Sequence, residues 1–148
     1  MNERDEFIQT FREIQPKFSR VYARLLIEAD LTLPQYVLLN QLVDRGVLTM
    51  TEVSEKLHIT KPAVTSLVDR LEKNRFLKRL AHPRDRRISL LEIQPKGKKI
   101  VRKVQGHILP LLLRTLDAFG PKERKLISRF YTRLSRTLDE ILSFPRGK

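Results

Sequence analysis

The residues of this chain that could do chemistry are cationic and hydroxyl side chains, and they do not form a catalytic set. The three histidines, His58, His82 and His107, lie far apart in the sequence, cysteine is absent, and no glycine-rich phosphate loop occurs. No spacing is typical of a nucleophile with its base or of metal ligands. We therefore predict no enzymatic activity, no metal and no cofactor. The chemistry that remains is charge and hydrogen bonding, which suits a binding protein.

The cationic side chains are unevenly distributed along the 148 residues, whose formal net charge is +13. Residues 1–59 carry seven Lys or Arg against nine Asp or Glu. Residues 60–91 carry nine against three, and residues 93–148 carry fourteen against four. This asymmetry favours a polyanionic partner, with nucleic acid first and an anionic membrane surface second.

The stretch 61–74 has the pattern of a helix with one outward polar face. Its apolar residues recur at i, i+3, i+4 and i+7, which predicts one buried stripe. Thr and Ser in mid-helix are poor helix formers, so another requirement can explain them, such as hydrogen bonding to base edges. For this helix alone, an ordinary solvated face is an equally good interpretation. The outward residues, and the predicted contacts to nucleic acid, are Lys61, Pro62, Thr65, Ser66, Asp69, Arg70 and Lys73.

A hairpin with a basic tip is predicted next. Residues 76–81 and 87–93 have the composition of two strands joined by a loop. Arg84, Arg86 and Arg87 concentrate positive charge at a position where no core requires it, which again favours a polyanion. Asp85 is the one acidic residue of the tip. Its carboxylate is expected to hold a neighbouring arginine, although the preference of Asp for turns explains its position equally well.

Long helices are predicted on both sides of this basic region. Apolar residues recur every 3.5 residues over 3–29, the period of helices packed nearly parallel. Pro16 is expected to kink or divide this helix, because proline has no N–H to donate. A further apolar face covers 95–116, with a kink expected at Pro110. Pro121 is expected to begin the last helix.

Short elements connect the first long helix to the polar-faced one. Thr32 and Gln35 form a capping box that begins a second helix, and Gly46 is expected to end it. Residues 47–50 can form only an edge strand, and Thr51 is expected to cap a third helix. The predicted fold class is mostly α with a small β-hairpin, an α+β arrangement.

The apolar stripes of the first and last helices are too large for a small domain to cover. Exposed stripes of that size predict association, and a two-fold dimer joined by both termini is the simplest arrangement. Packing within one protomer remains the alternative for the N-terminal stripe. The residues predicted at the dimer interface are Phe7, Phe11, Ile14, Phe18, Phe130, Leu134, Leu138 and Ile141.

Four runs, taken together with the order of elements, resemble one known family. They are Thr51-Glu-Val-Ser-Glu-Lys-Leu, Lys61-Pro-Ala-Val-Thr-Ser-Leu-Val-Asp-Arg-Leu-Glu-Lys, Asp85-Arg-Arg and Pro95-Lys-Gly. In this respect the chain is similar to the MarR family of transcriptional regulators. The resemblance departs from the family pattern at Asn74-Arg75, where a glycine is usual, and at Ile93-Gln94, where Leu-Thr is common. At the first departure, Asn is expected to take the left-handed conformation and end the helix one residue earlier. At the second, a capping hydroxyl is lost.

The resemblance implies a single domain over 1–148, with a winged helix-turn-helix at 32–94 and helical dimerisation parts at 1–31 and 95–148. It further implies a homodimer on a pseudo-palindromic DNA operator, with each polar-faced helix in a major groove and each hairpin in a minor groove. Arg86 or Arg87 would contact DNA, and Asp85 would steady it. Repression of transcription is the function expected.

The resemblance also implies a small aromatic or lipophilic effector, bound between the winged part and the dimerisation helices. Candidate residues are Tyr22, Arg24, Tyr36 and His107, for each of which an ordinary core or surface role is the alternative. A non-specific architectural DNA-binding protein is the main alternative function, because it explains the charge equally well. The sequence has no long apolar run and no signal peptide, so we expect no membrane span and a cytoplasmic location.

Overall fold

The helices and strands follow the order expected from the apolar patterns. The computed structural model describes residues 2–143, and within them it has six helices and one three-stranded antiparallel sheet in the order β1-β3-β2. The predicted class, mostly α with a small β-hairpin, is confirmed. The elements are α1 (Glu3–Ala29), α2 (Leu33–Arg45), β1 (Leu48–Thr49), α3 (Met50–Leu57), α4 (Lys61–Lys73), β2 (Leu77–Ala81), β3 (Ser89–Ile93), α5 (Pro95–Leu116) and α6 (Pro121–Ser143).

Side-chain caps set where several helices begin. The capping box of Thr32 and Gln35 is present, as the sequence predicts. The expected cap at Thr51 is wrong, because α3 begins two residues earlier with Thr49 as its cap. Thr49 accepts the backbone N–H of Glu52 at 3.1 Å, and the Glu52 carboxylate accepts the Thr49 N–H at 2.7 Å. Thr49 has a glutamate three residues later and Thr51 does not, so only Thr49 can complete the box.

The two prolines inside long helices do not divide them. Pro16 lies within α1 and Pro110 within α5, and each helix is continuous through its proline. Both prolines are exposed. The carbonyl that loses its helical donor can therefore bond to water, which reduces the cost of the missing N–H.

The core lies where α2, α4, α5 and the sheet meet. Leu38 and Leu39 of α2, Val68 of α4 and Val101 of α5 are fully buried in one cluster. Gln35 is the one polar residue of the described chain that is buried, and its side-chain oxygen accepts the Thr32 N–H at 2.9 Å. The core therefore fixes one face of α4 and leaves its opposite face to solvent.

The wing is the hairpin formed by β2, β3 and the loop 82–88 between them. A close approach of α5 to the start of the wing depends on Gly97. The backbone of Gln94 donates to the Phe76 carbonyl at 2.9 Å, which draws the first turn of α5 against β2. Lys96 reinforces this junction, because its Nζ donates to the Asn74 carbonyl at 3.0 Å and lies 4.8 Å from the Phe76 ring centroid. Gly97 then lies very close to the Phe76 carbonyl. As expected, Gln94 supplies no capping hydroxyl to α5.

Gly97→Ala should destabilise the protein strongly. A Cβ at this position would lie 2.2 Å from the Phe76 carbonyl oxygen and 2.9 Å from Ile93 Cγ1. The oxygen belongs to the backbone and cannot rotate away, so α5 must shift, at a cost of about 2 kcal/mol or more in the free energy of unfolding. Urea unfolding of Gly97→Ala and of the control Gly106→Ala checks this, because a Cβ at Gly106 meets nothing within 4 Å. Equal stabilities of the two variants would contradict the assignment.

The turn after α4 places a strained residue at Arg75. The helix ends at Lys73, one residue before the end of the stretch 61–74, as expected. The expectation that Asn74 is left-handed is wrong, because Asn74 has φ −84° and Arg75 has φ 59°. The reason is that the backbone N–H groups of Arg75 and Phe76 both bond back to α4, at Glu72 and Leu71, which places the left-handed residue at 75.

Arg75→Gly should therefore stabilise the protein. A left-handed residue with a Cβ costs about 1–2 kcal/mol, and part of this is offset by the greater entropy that glycine has in the unfolded chain. We expect a net gain of about 0.5–1 kcal/mol in the free energy of unfolding, measured in urea. The control is Lys73→Gly, which also removes an exposed cation but places glycine in a regular helical turn. It should lose stability, and a loss in both variants would contradict the prediction.

Large apolar surfaces remain uncovered on the three long helices α1, α5 and α6. Within 2–143, α6 has no buried residue, although apolar side chains recur along it. The N-terminal half of α1 and the C-terminal half of α5 are exposed in the same way. No helix in the described part of the chain is long and apolar enough to cross a membrane.

Candidate nucleic-acid interface

The outward face of α4 is positioned by the tight turn before it. His58 ends α3 in the left-handed conformation, with φ 51°. The Ser54 hydroxyl donates to the Ile59 carbonyl at 2.7 Å, and Thr60 caps α4 by accepting the Ala63 N–H at 3.3 Å. Buried Val64 fixes the rotation of the helix. All seven residues predicted to face outward are exposed: Lys61, Pro62, Thr65, Ser66, Asp69, Arg70 and Lys73.

Small hydroxyl side chains occupy the middle of this face. Thr65 donates its hydroxyl to the Lys61 carbonyl at 3.1 Å, which fixes the rotamer and leaves the oxygen free to accept. Ser66 lies beside it and is exposed. Because neither side chain is long, a flat surface can approach the α4 backbone closely here. This geometry suits base edges in a groove.

The tip of the hairpin is held by Asp85. Its carboxylate accepts from the Arg87 backbone N–H at 3.0 Å, from Arg87 Nε at 3.1 Å and from Nη2 at 3.0 Å. These hydrogen bonds from Arg87 hold the pKa of the Asp85 carboxyl below its ordinary value. Asp85 therefore holds a neighbouring arginine, as expected, and that arginine is Arg87. Arg84 and Arg86 are exposed beside it, in a loop that is longer than expected because β2 ends at Ala81 and β3 begins at Ser89.

An ion-pair network between α4 and β2 was not foreseen from the sequence. Arg79 of β2 donates through Nη2 to Asp69 and through Nη1 to Glu72. Its backbone N–H donates to Glu72 Oε1 at 3.0 Å. That backbone bond, with the guanidinium contact, lowers the pKa of Glu72 despite partial burial. The available signal was two acids three residues apart on a helix, followed by an arginine on the next strand.

The residues predicted at the dimer interface are mostly exposed in the single chain. Phe7 of α1 is 54% exposed and Leu138 of α6 is 47% exposed, whereas Phe18 is half-buried. Phe7 and Phe130 contact each other edge to face, with ring centroids 5.5 Å apart. The structure therefore brings the two apolar stripes together at one point and leaves most of both uncovered. The remaining members of the set are also exposed: Phe11, Ile14, Leu134 and Ile141.

The four candidate effector residues do not share one environment. Tyr22 and Tyr36 lie together, with ring centroids 6.3 Å apart. Tyr36 is only 7% exposed, and its pKa is raised by burial and by the neighbouring Tyr22 and Asp44. Arg24 is exposed at a shallow depression on α1, and His107 is exposed with a ring nitrogen 2.8 Å from the Lys103 carbonyl. Within residues 2–143 no cluster of three metal-binding side chains occurs.

A helix-turn-helix followed by a two-stranded wing defines the class of protein. The model of the MarR family matches residues 31–89. The chain is also 32% identical over 115 residues to YfiV, an uncharacterised HTH-type transcriptional regulator of Bacillus subtilis (strain 168), covering 76% of this chain and 71% of YfiV. The chain belongs to the MarR family. It is thus a winged helix-turn-helix transcriptional regulator that binds DNA.

Two further comparisons extend over more of the chain. The chain is 24% identical over 139 residues to MdtR, an HTH-type transcriptional repressor of Bacillus subtilis (strain 168), with 93% of this chain and 87% of MdtR covered. The fold is also that of a MepR mutant from S. aureus bound to an oligodeoxyribonucleotide. That likeness has a TM-score of 0.66 at 20% identity and covers 89% of this chain and 97% of the other.

Proposed function

We propose that the protein is a homodimeric, sequence-specific repressor that occupies a pseudo-palindromic operator. The observation that carries this proposal is the pairing of two exposed features on one winged domain. One is the hydroxyl-rich face of α4, and the other is the cationic hairpin tip held by Asp85. The first suits a major groove, and the second suits the phosphates and floor of a minor groove.

The two features have different roles in DNA recognition. Thr65 and Ser66 contact base edges and determine which sequence is preferred. Lys61 and Arg70 lie on the same exposed face and contact phosphates or guanine. The wing arginines add affinity that depends little on sequence and falls with salt. Pro62, Asp69 and Lys73 complete the predicted contact surface, although Asp69 is already bonded to Arg79.

The homodimer follows from the uncovered helices. An α6 that buries none of its own residues and carries a recurring apolar stripe needs a partner. A second copy of the chain supplies the same stripes, so a two-fold arrangement covers both at once. Such a dimer sets two α4 helices about 34 Å apart, one turn of duplex DNA. Occupancy of the operator then blocks transcription, the activity that the name of the relative MdtR states.

Control by a small aromatic or lipophilic effector belongs to the same proposal. Tyr22 and Tyr36 place two aromatic rings where α1 meets α2. A ligand that separated these rings would change the angle between α1 and the winged part. Tyr36 is also part of the core, so Tyr22→Ala is the variant to test against a panel of phenolic ligands. Loss of ligand response with operator binding intact supports the site.

Selection of bound sequences from random duplex DNA tests the proposal. A repressor should enrich a two-fold sequence and should bind it at least about a thousandfold tighter than unrelated duplex. Binding without enrichment would instead indicate an architectural DNA-binding protein. Substitution of Thr65 or Ser66 should alter the enriched sequence, and an unchanged profile would remove those residues from base recognition.

A further inference from the structure

Both carboxylates of α4 are bonded to one arginine outside the helix. Asp69 and Glu72 are the only acidic residues of α4, and they lie one helical turn apart. The guanidinium of Arg79 donates to both of them. Asp69 remains 62% exposed in spite of this contact, and the Arg79 side chain is 27% exposed. The pair therefore lies at the surface, beside the face of α4 proposed to meet DNA.

The backbone of Arg79 contributes a third bond that holds the wing strand. β2 is an edge strand, because it pairs only with β3 in the described sheet. The Arg79 N–H does not bond to β3 but donates to Glu72 Oε1 at 3.0 Å. A side chain of α4 thus satisfies a group on the open edge of the wing, where backbone donors otherwise meet solvent. Two elements that contact different grooves are joined at this residue.

The charge on Asp69 gives the contact a second consequence. Asp69 lies three and four residues after Ser66 and Thr65, so the three side chains share one face of α4. A free carboxylate on that face would repel DNA phosphates. The guanidinium of Arg79 offsets this charge and also turns the carboxylate toward β2.

We propose that Arg79 is a positioning residue for DNA recognition, which fixes the wing relative to α4 and neutralises Asp69 without contacting DNA itself. The inference rests on the proposed function, because it concerns how α4 and the wing, the two elements proposed to contact DNA, are held relative to each other. Through Arg79, β2 has a role in operator affinity in addition to the roles of the outward face of α4 and of the wing tip.

The test uses the full-length protein with Arg79→Met, and two readouts. In the free protein, hydrogen exchange of the amides in residues 77–93 should accelerate, because the two guanidinium bonds to α4 are lost and only the backbone bond to Glu72 remains. On the selected operator, affinity should fall by roughly tenfold or more, as for a lost charge contact at a DNA interface. The preference for operator over unrelated duplex should fall as well. Arg79→Lys, which can bond one carboxylate at a time, should lie between wild type and Arg79→Met.

The double variant Asp69→Asn with Arg79→Met separates the two consequences. It should recover part of the operator affinity, because the unneutralised charge of Asp69 is gone. Hydrogen exchange of the wing amides should stay fast. Unchanged wing exchange in a folded Arg79→Met would overturn the bracing role, whether or not an operator is found. Unchanged operator preference would overturn the recognition role. If Arg79→Met fails to fold, Glu72→Met removes one carboxylate of the network with its acceptor oxygens, and the same readouts apply. Failure of the wild type to select a sequence would count against the proposed function and leave the exchange result standing.

Discussion

Replacing Leu134 and Leu138 of α6 together with glutamate should convert the proposed dimer to a folded monomer. Both side chains are exposed in the single chain, so the substitution costs the protomer little of its own stability. In the proposed interface they would be buried, and a buried unpaired carboxylate costs several kcal/mol. Light scattering measures the mass, and far-ultraviolet circular dichroism confirms that the helices persist.

A monomer should also lose most of its affinity for the operator. Two linked DNA-binding parts bind far more tightly than one, because the second contact is intramolecular. The gain in affinity is on the order of a hundredfold or more. The monomer should retain only weak, salt-sensitive binding to DNA. A variant that stays dimeric and binds the operator normally would place the interface on a different surface.

Thr132→Glu is the matched control for this experiment. Thr132 lies on the same helix and is exposed, but successive residues turn by about 100°, which directs it away from Leu134 and Leu138. It adds one of the two negative charges of the double variant, without entering the apolar stripe. Dimer mass and operator affinity should both remain near those of the wild type. A monomeric Thr132→Glu would show that added charge anywhere on α6 is enough, and the apolar stripe would lose its assignment.

Features that depend on nearby residues could be predicted from the sequence. The capping box of Thr32 and Gln35, the end of α2 at Gly46 and the outward face of α4 all follow from spacing within a few residues. The Asp85 contact to Arg87 is equally local. At the start of α3 the expectation was wrong, because a nearby residue competes for the capping position. Thr49 rather than Thr51 caps α3, because only Thr49 has a glutamate three residues later.

Features that join separate elements could not be predicted in the same way. Arg79 reaches Asp69 only because β2 returns alongside α4, and no periodicity encodes that approach. The left-handed conformation of Arg75 depends on the type of turn that joins α4 to β2. Gly97 is part of the family resemblance, but its closeness to Phe76 depends on how α5 packs against the segment before β2. The predicted interface on α6 remains a prediction, since it concerns a second chain.

Arg86→Ala should weaken binding to all DNA sequences by a similar factor. Arg86 is exposed at the wing tip, and it is expected to contact phosphates or the minor groove. A homodimer loses the contact twice, and each lost phosphate contact lowers the salt slope by about 1, so the slope of log K against log salt should fall by about 2. Titrations of operator and unrelated duplex over a salt series measure both quantities.

The control for the wing is Lys122→Ala, which removes one exposed cation far from the hairpin. Lys122 follows α5, whose 22 residues extend about 33 Å from the winged part. Its removal lowers the net charge as much as Arg86→Ala does, but it should leave the salt slope unchanged. Equal effects from the two variants would show that overall charge, rather than the wing tip, supplies the affinity.

Asp85→Asn then tests whether the tip must be preformed. The variant removes a negative charge, so a purely electrostatic wing would bind more tightly. If the three bonds that hold Arg87 matter, the freed guanidinium instead loses its orientation and operator affinity falls. The lowered pKa of Asp85 means that this contact is present above the ordinary carboxyl range and is lost only as pH falls through the lowered value. Between about pH 6 and pH 8 the wild-type carboxylate is therefore constantly ionised. A loss of affinity in Asp85→Asn relative to the wild type in that window thus reports the lost orientation of Arg87, whereas tighter binding reports the removed charge alone.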